Sequence, residues 1–260
     1  MMSILKPILL AVLIALGFVV NAKDRVTLTN GEWPPFLGKQ LPHYGASTHI
    51  VSEALMKAGI EVKYEFYAWP RAYNFALQGL KDGSVIWVWT EDRDKHFYFS
   101  DSILESEDVF FYLKSANFDW QGYEDLGERI IGASSGYSYG AGFDLADRTG
   151  LIVVERVTSE AQNFMKLISG KIDLVVANYH VGWEIIRTSL PKRFRERITS
   201  HKKPVDRNSW KLILSKKVPE NEERMKQFNA ALIDLKKTGY VDKVYQDALA
   251  GKYSFRAAKK

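Results

Sequence analysis

From Arg25 onward, short apolar runs alternate with segments whose apolar residues recur at helical spacing. VTLTN at 26–30 predicts a strand, and a helix follows over about 47–58, closed by Gly59. VKYEFY at 62–67 predicts the second strand. A helix opened by Trp69-Pro70 then runs to about Gly79, with proline in its first turn. SVIWVW at 84–89 is unbroken by polar side chains after its first residue, the mark of a strand covered on both faces. The pattern then repeats with RIIG (129–132), a helix over 139–149, LIVVERV (151–157), a helix through Ser169, and KIDLVVAN (171–178). Ser159, with Gln162 three residues on, predicts a capping box for the last of these helices. SEDVFFYLKS at 106–115 is a strand long enough to carry the chain between the two halves, and SWKLILSKK at 209–217 is a further strand. Met225, Phe228, Leu232 and Leu235 form the core stripe of a final helix.

Strand–helix–strand order predicts parallel sheets with right-handed crossovers. The fold class is therefore α/β in two lobes, each a mainly parallel sheet flanked by helices. Residues 23–113 with 206–260 form the first lobe and 114–205 the second. Open α/β sheets take ligands beyond the carboxyl ends of their strands, which places the expected site in a cleft between the lobes. Trp33, Trp69, Thr90 and Arg93 lie just past strand ends in the first lobe, and Ser134 to Tyr139 and Asn178 do so in the second.

The chain has 260 residues, 46% hydrophobic and 26% charged, which is enough for two such lobes and unlike a disordered chain. Its first residues, MMSILKPILLAVLIALGFVVNA, place Lys6 before an apolar run from Ile8 to Val20 and end in Val-Asn-Ala. That layout predicts a secretory signal peptide over 1–22, cleaved after Ala22, since the run is shorter than the roughly 20 residues of a spanning helix. An exported protein follows. With no cysteine, disulfides, thiolate metal sites, a cysteine nucleophile and a lipid anchor on an N-terminal cysteine are excluded. The net charge is +5, and PKRFRERITSHKK at 191–203 is locally basic, but Glu196 interrupts it and no recognition motif accompanies it. It reads as a solvated face, without a nucleic-acid partner. The five histidines are scattered, so neither a metal site nor a cofactor is expected.

Arg93 stands three residues after Thr90, a helix cap by type and position, in WTEDRDKHFYFSDS (89–102). A helix dipole disfavours a cation in the first turn. Spacing alone leaves two readings: a surface arginine paired with Asp92 or Asp94, or a guanidinium that joins free backbone N–H groups to make a pocket for an anion. Arg71, in the first turn after Trp69-Pro70, also has two readings. It either faces the same cleft or lies outside with its stem over Tyr67 or Tyr73. Trp33, Phe36 and Trp69 either stack on a ligand or roof the lobe. The stretch GASSGYSYG also matches G-x-S-x-G twice, at 132–136 and 136–140, with His180 and His201 downstream. No oxyanion glycine run precedes it, so a serine hydrolase using Ser134 or Ser138 lacks its context.

Taken together, GEWPPF, Thr-x-x-Arg followed by aromatic-Ser-Asp, GASSGYSYG and SGKIDLVVAN resemble the family 3 periplasmic solute-binding proteins, over nearly all of 25–251. The resemblance implies a periplasmic-binding-protein fold of type II and a receptor, not an enzyme, that closes around an amino acid or related carboxylate. It implies that Arg93 binds the ligand's carboxylate in a bidentate manner, with Thr90 beside it. Gly136, Tyr137 and Ser138 fall on the family's Gly-Ser-Thr turn, where Ser138 keeps the hydroxyl and Tyr137 adds bulk. Trp33 and Trp69 are implied as walls. Asn178 falls where amino-acid receptors carry the aspartate that binds the ammonium, and an amide brings no charge there. An ordinary α-amino acid is therefore in question. The implied partners are the ligand and an inner-membrane ABC permease or a sensor, with the receptor a monomer. The fold also hosts periplasmic dehydratases of cyclic carboxylates, which is the alternative activity.

Overall fold

A computed structural model of the protein describes residues 24–254; the expected signal peptide at 1–22 lies outside the described residues. In the first lobe, β1 (Arg25–Asn30), β2 (Glu61–Phe66) and β3 (Gly83–Trp87) pair in parallel in the order β2–β1–β3, with α1 (Ala46–Lys57) and α2 (Trp69–Leu77) as crossovers. The short α3 (Glu91–Asp94) and β4 (Phe97–Phe99) lead into β5 (Leu104–Leu113). The second lobe holds β6 (Ile130–Ser134), α4 (Ala141–Arg148), β7 (Val153–Val157), α5 (Glu160–Ile168) and β8 (Leu174–Asn178). It is completed by α6 (Tyr179–Ser189), α7 (Lys192–Arg195) and β9 (Ile198–Ser200). The chain then returns through β10 (Asp206–Ser215) to α8 (Asn221–Lys237) and α9 (Tyr240–Leu249).

Strands β5 and β10 join the lobes. They run antiparallel, Leu104–Asp108 of β5 against Asp206–Trp210 of β10. Beyond that pairing β10 continues between β3 and β4 in the first lobe, while β5 continues onto β8 and β9 in the second. The result is one curled sheet of ten strands. Alternation along these strands divides the interior. Val109, Phe111, Val175, Ala177, Leu212 and Leu214 share one core with α1, α5, α6, α8 and α9 across both lobes. Residues of opposite parity face two smaller, separate cores: Phe110, Leu174 and Val176 in the second lobe, Ile213 with Trp87 and Phe97 in the first. The lobes are thus continuous behind the sheet and parted in front of it.

The β3 run is buried throughout, as its composition predicts. Its pairing with β10 steps by three residues from Ser84 to Trp87 against two from Ile213 to Lys211, and Ile86 takes a left-handed φ of 65°. A β-branched side chain holds that conformation at a cost of about 1–2 kcal/mol. The extra residue is a bulge, a device that re-aims the side chains after it. The capping box expected at Ser159 is not formed. Ser159 is exposed and its hydroxyl makes no cap bond; its backbone carbonyl instead accepts from the Gln162 N–H at 3.0 Å. No helix among the described residues is long and apolar enough to cross a membrane.

Candidate functional site

The first-lobe wall of the cleft is aromatic. Past β1 the chain folds into a tight loop, closed by reciprocal bonds between Trp33 and Leu37 at 2.8 and 2.9 Å. That loop buries the Trp33 ring against Trp210 (4.6 Å between centroids) and Phe36 (5.3 Å). Trp69 opens α2 and lies flush on Gly31, where an added Cβ would stand 2.3 Å from the indole. Glycine at 31 is what lets the ring lie there. The edge of one indole meets the face of the other between Trp69 and Trp87, at 5.5 Å. The β3 bulge brings Ile86, Trp87 and Val88 to the same space, so that a strained backbone serves the site.

Arg93 stands at the centre. Thr90 caps α3 as expected, its hydroxyl oxygen accepting from the Arg93 N–H at 3.2 Å. The guanidinium lies 4.8 Å over the Trp87 ring and 5.9 Å over Tyr73. Of its five N–H groups, Nη1 donates to Val88 O at 2.9 Å and Nη2 to Gly136 O in the second lobe at 3.2 Å. The acidic neighbours that could have claimed it are engaged elsewhere, Asp92 with Lys95 and Asp94 with the Trp89 indole. No carboxylate pairs with Arg93 among the described residues. Burial pulls its pKa below the usual value, opposed by the Tyr73 hydroxyl and the more distant Asp144 and Asp92, and an arginine shifted this way remains charged.

The second-lobe wall is the turn after β6. Gly136 takes a left-handed φ of 82° and presents its carbonyl to Arg93. The Tyr137 ring crosses to Trp69, centroids 6.0 Å apart and nearly perpendicular. Ser138 lines the cleft, but its hydroxyl donates to the Asp144 carboxylate, which also accepts from the Tyr139 N–H at 3.2 Å. Behind this turn lie acids held uncharged by burial: Glu160 is pushed up to about 8, and Asp108 well above the carboxylate range by burial and by its neighbours Glu160 and Asp206. Tyr137 and Tyr139 share that interior, and burial raises their phenols too.

Arg93, Trp33, Trp69, Tyr137 and Ser138 thus meet around one cleft with about 330 Å³ of unfilled space. Thr90 belongs to a wider pocket of about 740 Å³ on the outer side of Arg93, beside Tyr73 and Asn74. Two expected residues are placed elsewhere. Arg71 is exposed and lies over Tyr67 (5.2 Å) and Phe75 (5.1 Å), the outward reading of its position. Asn178 is 2% exposed and spends its amide inside the lobe junction. Its Nδ2 donates to Ser106 Oγ at 2.6 Å and Glu107 O at 3.4 Å, and its Oδ1 caps α6 by accepting from His180 and Val181 N–H. Trp210 and Ile86 line the cleft without having been singled out from sequence, since neither stands past a strand end or in a motif. The two histidines of the hydrolase reading do not pair with its serines. His201 bonds Asp119, His180 packs among Phe36, Tyr179 and Tyr245, and the Ser134 hydroxyl is buried without a partner.

Solved structures share this architecture. A histidine kinase sensor domain with similarity to periplasmic binding proteins superposes with a TM-score of 0.70 at 18% identity, over 87% of this chain and 97% of its own. An ancestral arginine-binding protein bound to arginine gives 0.70 at 21% identity, over 86% of this chain and 97% of its own. The arginine 3rd transport system periplasmic binding protein from Legionella pneumophila gives 0.70 at 16%, over 86% and 99%. At such identities the likeness is one of fold, the periplasmic-binding-protein fold. A search of curated proteins finds no match. The profile of the bacterial extracellular solute-binding proteins, family 3, matches residues 26–250, and the chain belongs to that family.

Proposed function

We propose that this protein is an exported receptor that closes around a small carboxylate-bearing molecule. One observation carries the reading: a half-buried guanidinium, Arg93, with no carboxylate partner among the described residues, bonded across the cleft to a backbone carbonyl that an incoming carboxylate would replace. Arg93 grips the anion, Thr90 fixes the turn that carries it, Trp33, Trp69 and Tyr137 form the walls, and Ser138, its hydroxyl held by Asp144, lines the second-lobe side. The lobes, 23–113 with 206–260 and 114–205, move about the paired strands β5 and β10. The signal peptide at 1–22 delivers a monomer to the periplasm, and the closed form is read by an inner-membrane ABC permease or a sensor. The structural relatives include both a transport-system binding protein and a histidine kinase sensor domain, which supports either readout.

Thermal unfolding against amino acids, dicarboxylates and aromatic acids tests this. A ligand at a hundred times its Kd adds about 2.7 kcal/mol, roughly 5–10 °C for a chain of this size. Arg93→Ala is expected to remove that shift while keeping the parent's ligand-free midpoint within a few degrees. A variant that binds like the parent refutes the proposed grip. Turnover of prephenate- or arogenate-like acids would replace receptor with dehydratase.

A further inference from the structure

The cleft is built from four of the chain's seven tryptophans, Trp33, Trp69, Trp87 and Trp210, with Tyr137 closing it from the second lobe. Arg93 is the one charged residue in its lining; no aspartate, glutamate or lysine reaches it among the described residues. The indole N–H of Trp210 is spent on Ser106 Oγ at 2.6 Å. Those of Trp33, Trp69 and Trp87 are sealed from water and have no acceptor. The two carbonyls nearest the guanidinium, Val88 O and Gly136 O, already accept from it. Of the two acids that act on the guanidinium, Asp144 holds the Ser138 hydroxyl with one oxygen and the Tyr139 N–H with the other, and Asp92 lines the wider pocket beside Thr90, where it pairs with Lys95. Asn178, the remaining candidate to receive a cationic group, is consumed as a helix cap.

The site is therefore rich in aromatic faces, with one cationic donor in Arg93, and poor in acceptors. A ligand ammonium would lose its water without gaining a counter-ion, and its only charged neighbour would be Arg93, of like sign. A carboxylate on a flat ring meets the opposite conditions, an ion pair with Arg93 and edge or face contact with the indoles. Resting on the carboxylate reading above, we infer that the cleft selects small aryl carboxylates that carry no amine. The four tryptophans set the ring preference, and the absence of a lining acid excludes the α-amino acid.

Matched pairs differing by the amine test this: phenylacetate against L-phenylalanine and indole-3-acetate against L-tryptophan, titrated calorimetrically into the protein, with glutarate and L-arginine alongside. The expected result is at least tenfold tighter binding of the amine-free member of a pair, lost in Arg93→Ala and weakened at least tenfold in Trp87→Ala. Equal or tighter binding of the amino acids overturns the inference, as does Arg93-dependent binding of glutarate or arginine with no response to either aryl acid. In both of those cases the carboxylate receptor stands. Absence of Arg93-dependent binding by every acid in the set overturns the inference and the receptor reading together.

Discussion

Glu160 opens α5 with its Oε1 sealed from solvent and without a hydrogen-bond partner, although part of the residue reaches water. Burial pushes its pKa from 4.5 to about 8. An acid raised in the folded state holds a proton that the unfolded chain has released. Folding stability is therefore full below pH 4.5, falls as pH rises toward 8, and is flat above. Each unit costs about 1.36 kcal/mol, so the 2.5 units between 4.5 and 7 would cost about 3.4 kcal/mol, and about 1.5–2 once partial solvent screening is allowed for. Glu160→Gln keeps the size and removes the charge. Urea unfolding followed by tryptophan fluorescence reads the effect, with a slope of about 2–3 kcal/mol per molar urea for a chain of this length. The variant's midpoint at pH 7 is expected about 0.5–1 M above the parent's, the two converging toward pH 4.5. Asp108 is raised by the same burial and by Glu160 itself, so removing the Glu160 charge eases the Asp108 shift as well, and the difference between the proteins reads both effects, which have the same sign. Parallel curves for parent and variant from pH 5 to 8 would refute the reasoning.

Two more expectations concern the cleft wall and the lobe junction. Gly31→Ala forces a methyl to within 2.3 Å of the Trp69 indole and should cost about 1–3 kcal/mol by urea unfolding, with a changed tryptophan emission. Gly59→Ala is the control: its φ of 77° is left-handed but nothing lies within 4 Å, so about 1 kcal/mol and an unchanged emission are expected. His180 packs among Tyr179 of its own lobe and Phe36 and Tyr245 of the other, with burial lowering its pKa and Glu107 opposing the shift. A histidine depressed in this way takes up its proton first in the unfolded chain, so the parent loses stability as pH falls below 6.5, by at most about 1.4 kcal/mol per unit. His180→Phe should flatten that loss, and an unaltered acid limb would remove His180 from the account.

Strands β3 and β8 were legible as buried apolar runs, β2 and β7 by their place in the alternation although none of their residues is fully buried, and β5 by its length; the three-residue β4 and β9 were not read. The Thr90 cap on the Arg93 N–H was legible because a cap and its third residue are local. Asn178 was not, since its partners Ser106 and Glu107 lie more than 70 positions away, and a capping role looks the same in sequence as a ligand role. Arg71 stood in the first turn of a helix, where direction depends on how the helix is rotated on the sheet. Trp210 is one residue of an ordinary alternating strand. Its place in the cleft follows from β10 passing between the lobes, which only the sheet order reveals. The Ser159 box failed because an exposed hydroxyl has water as a competing partner.

The bond from Arg93 to Gly136 O has a consequence for occupancy. It joins the lobes through groups of the chain itself, so a carboxylate that takes the same N–H enters in competition with it. The apparent dissociation constant is then the intrinsic one divided by the fraction of molecules standing open. Changes that weaken the fastening raise that fraction and quicken association, while changes that strengthen it slow uptake of every ligand alike. On the receptor reading proposed above, with a permease or sensor that responds to closure, the same bond would set the background signal: the share of receptors that look loaded when no solute is present.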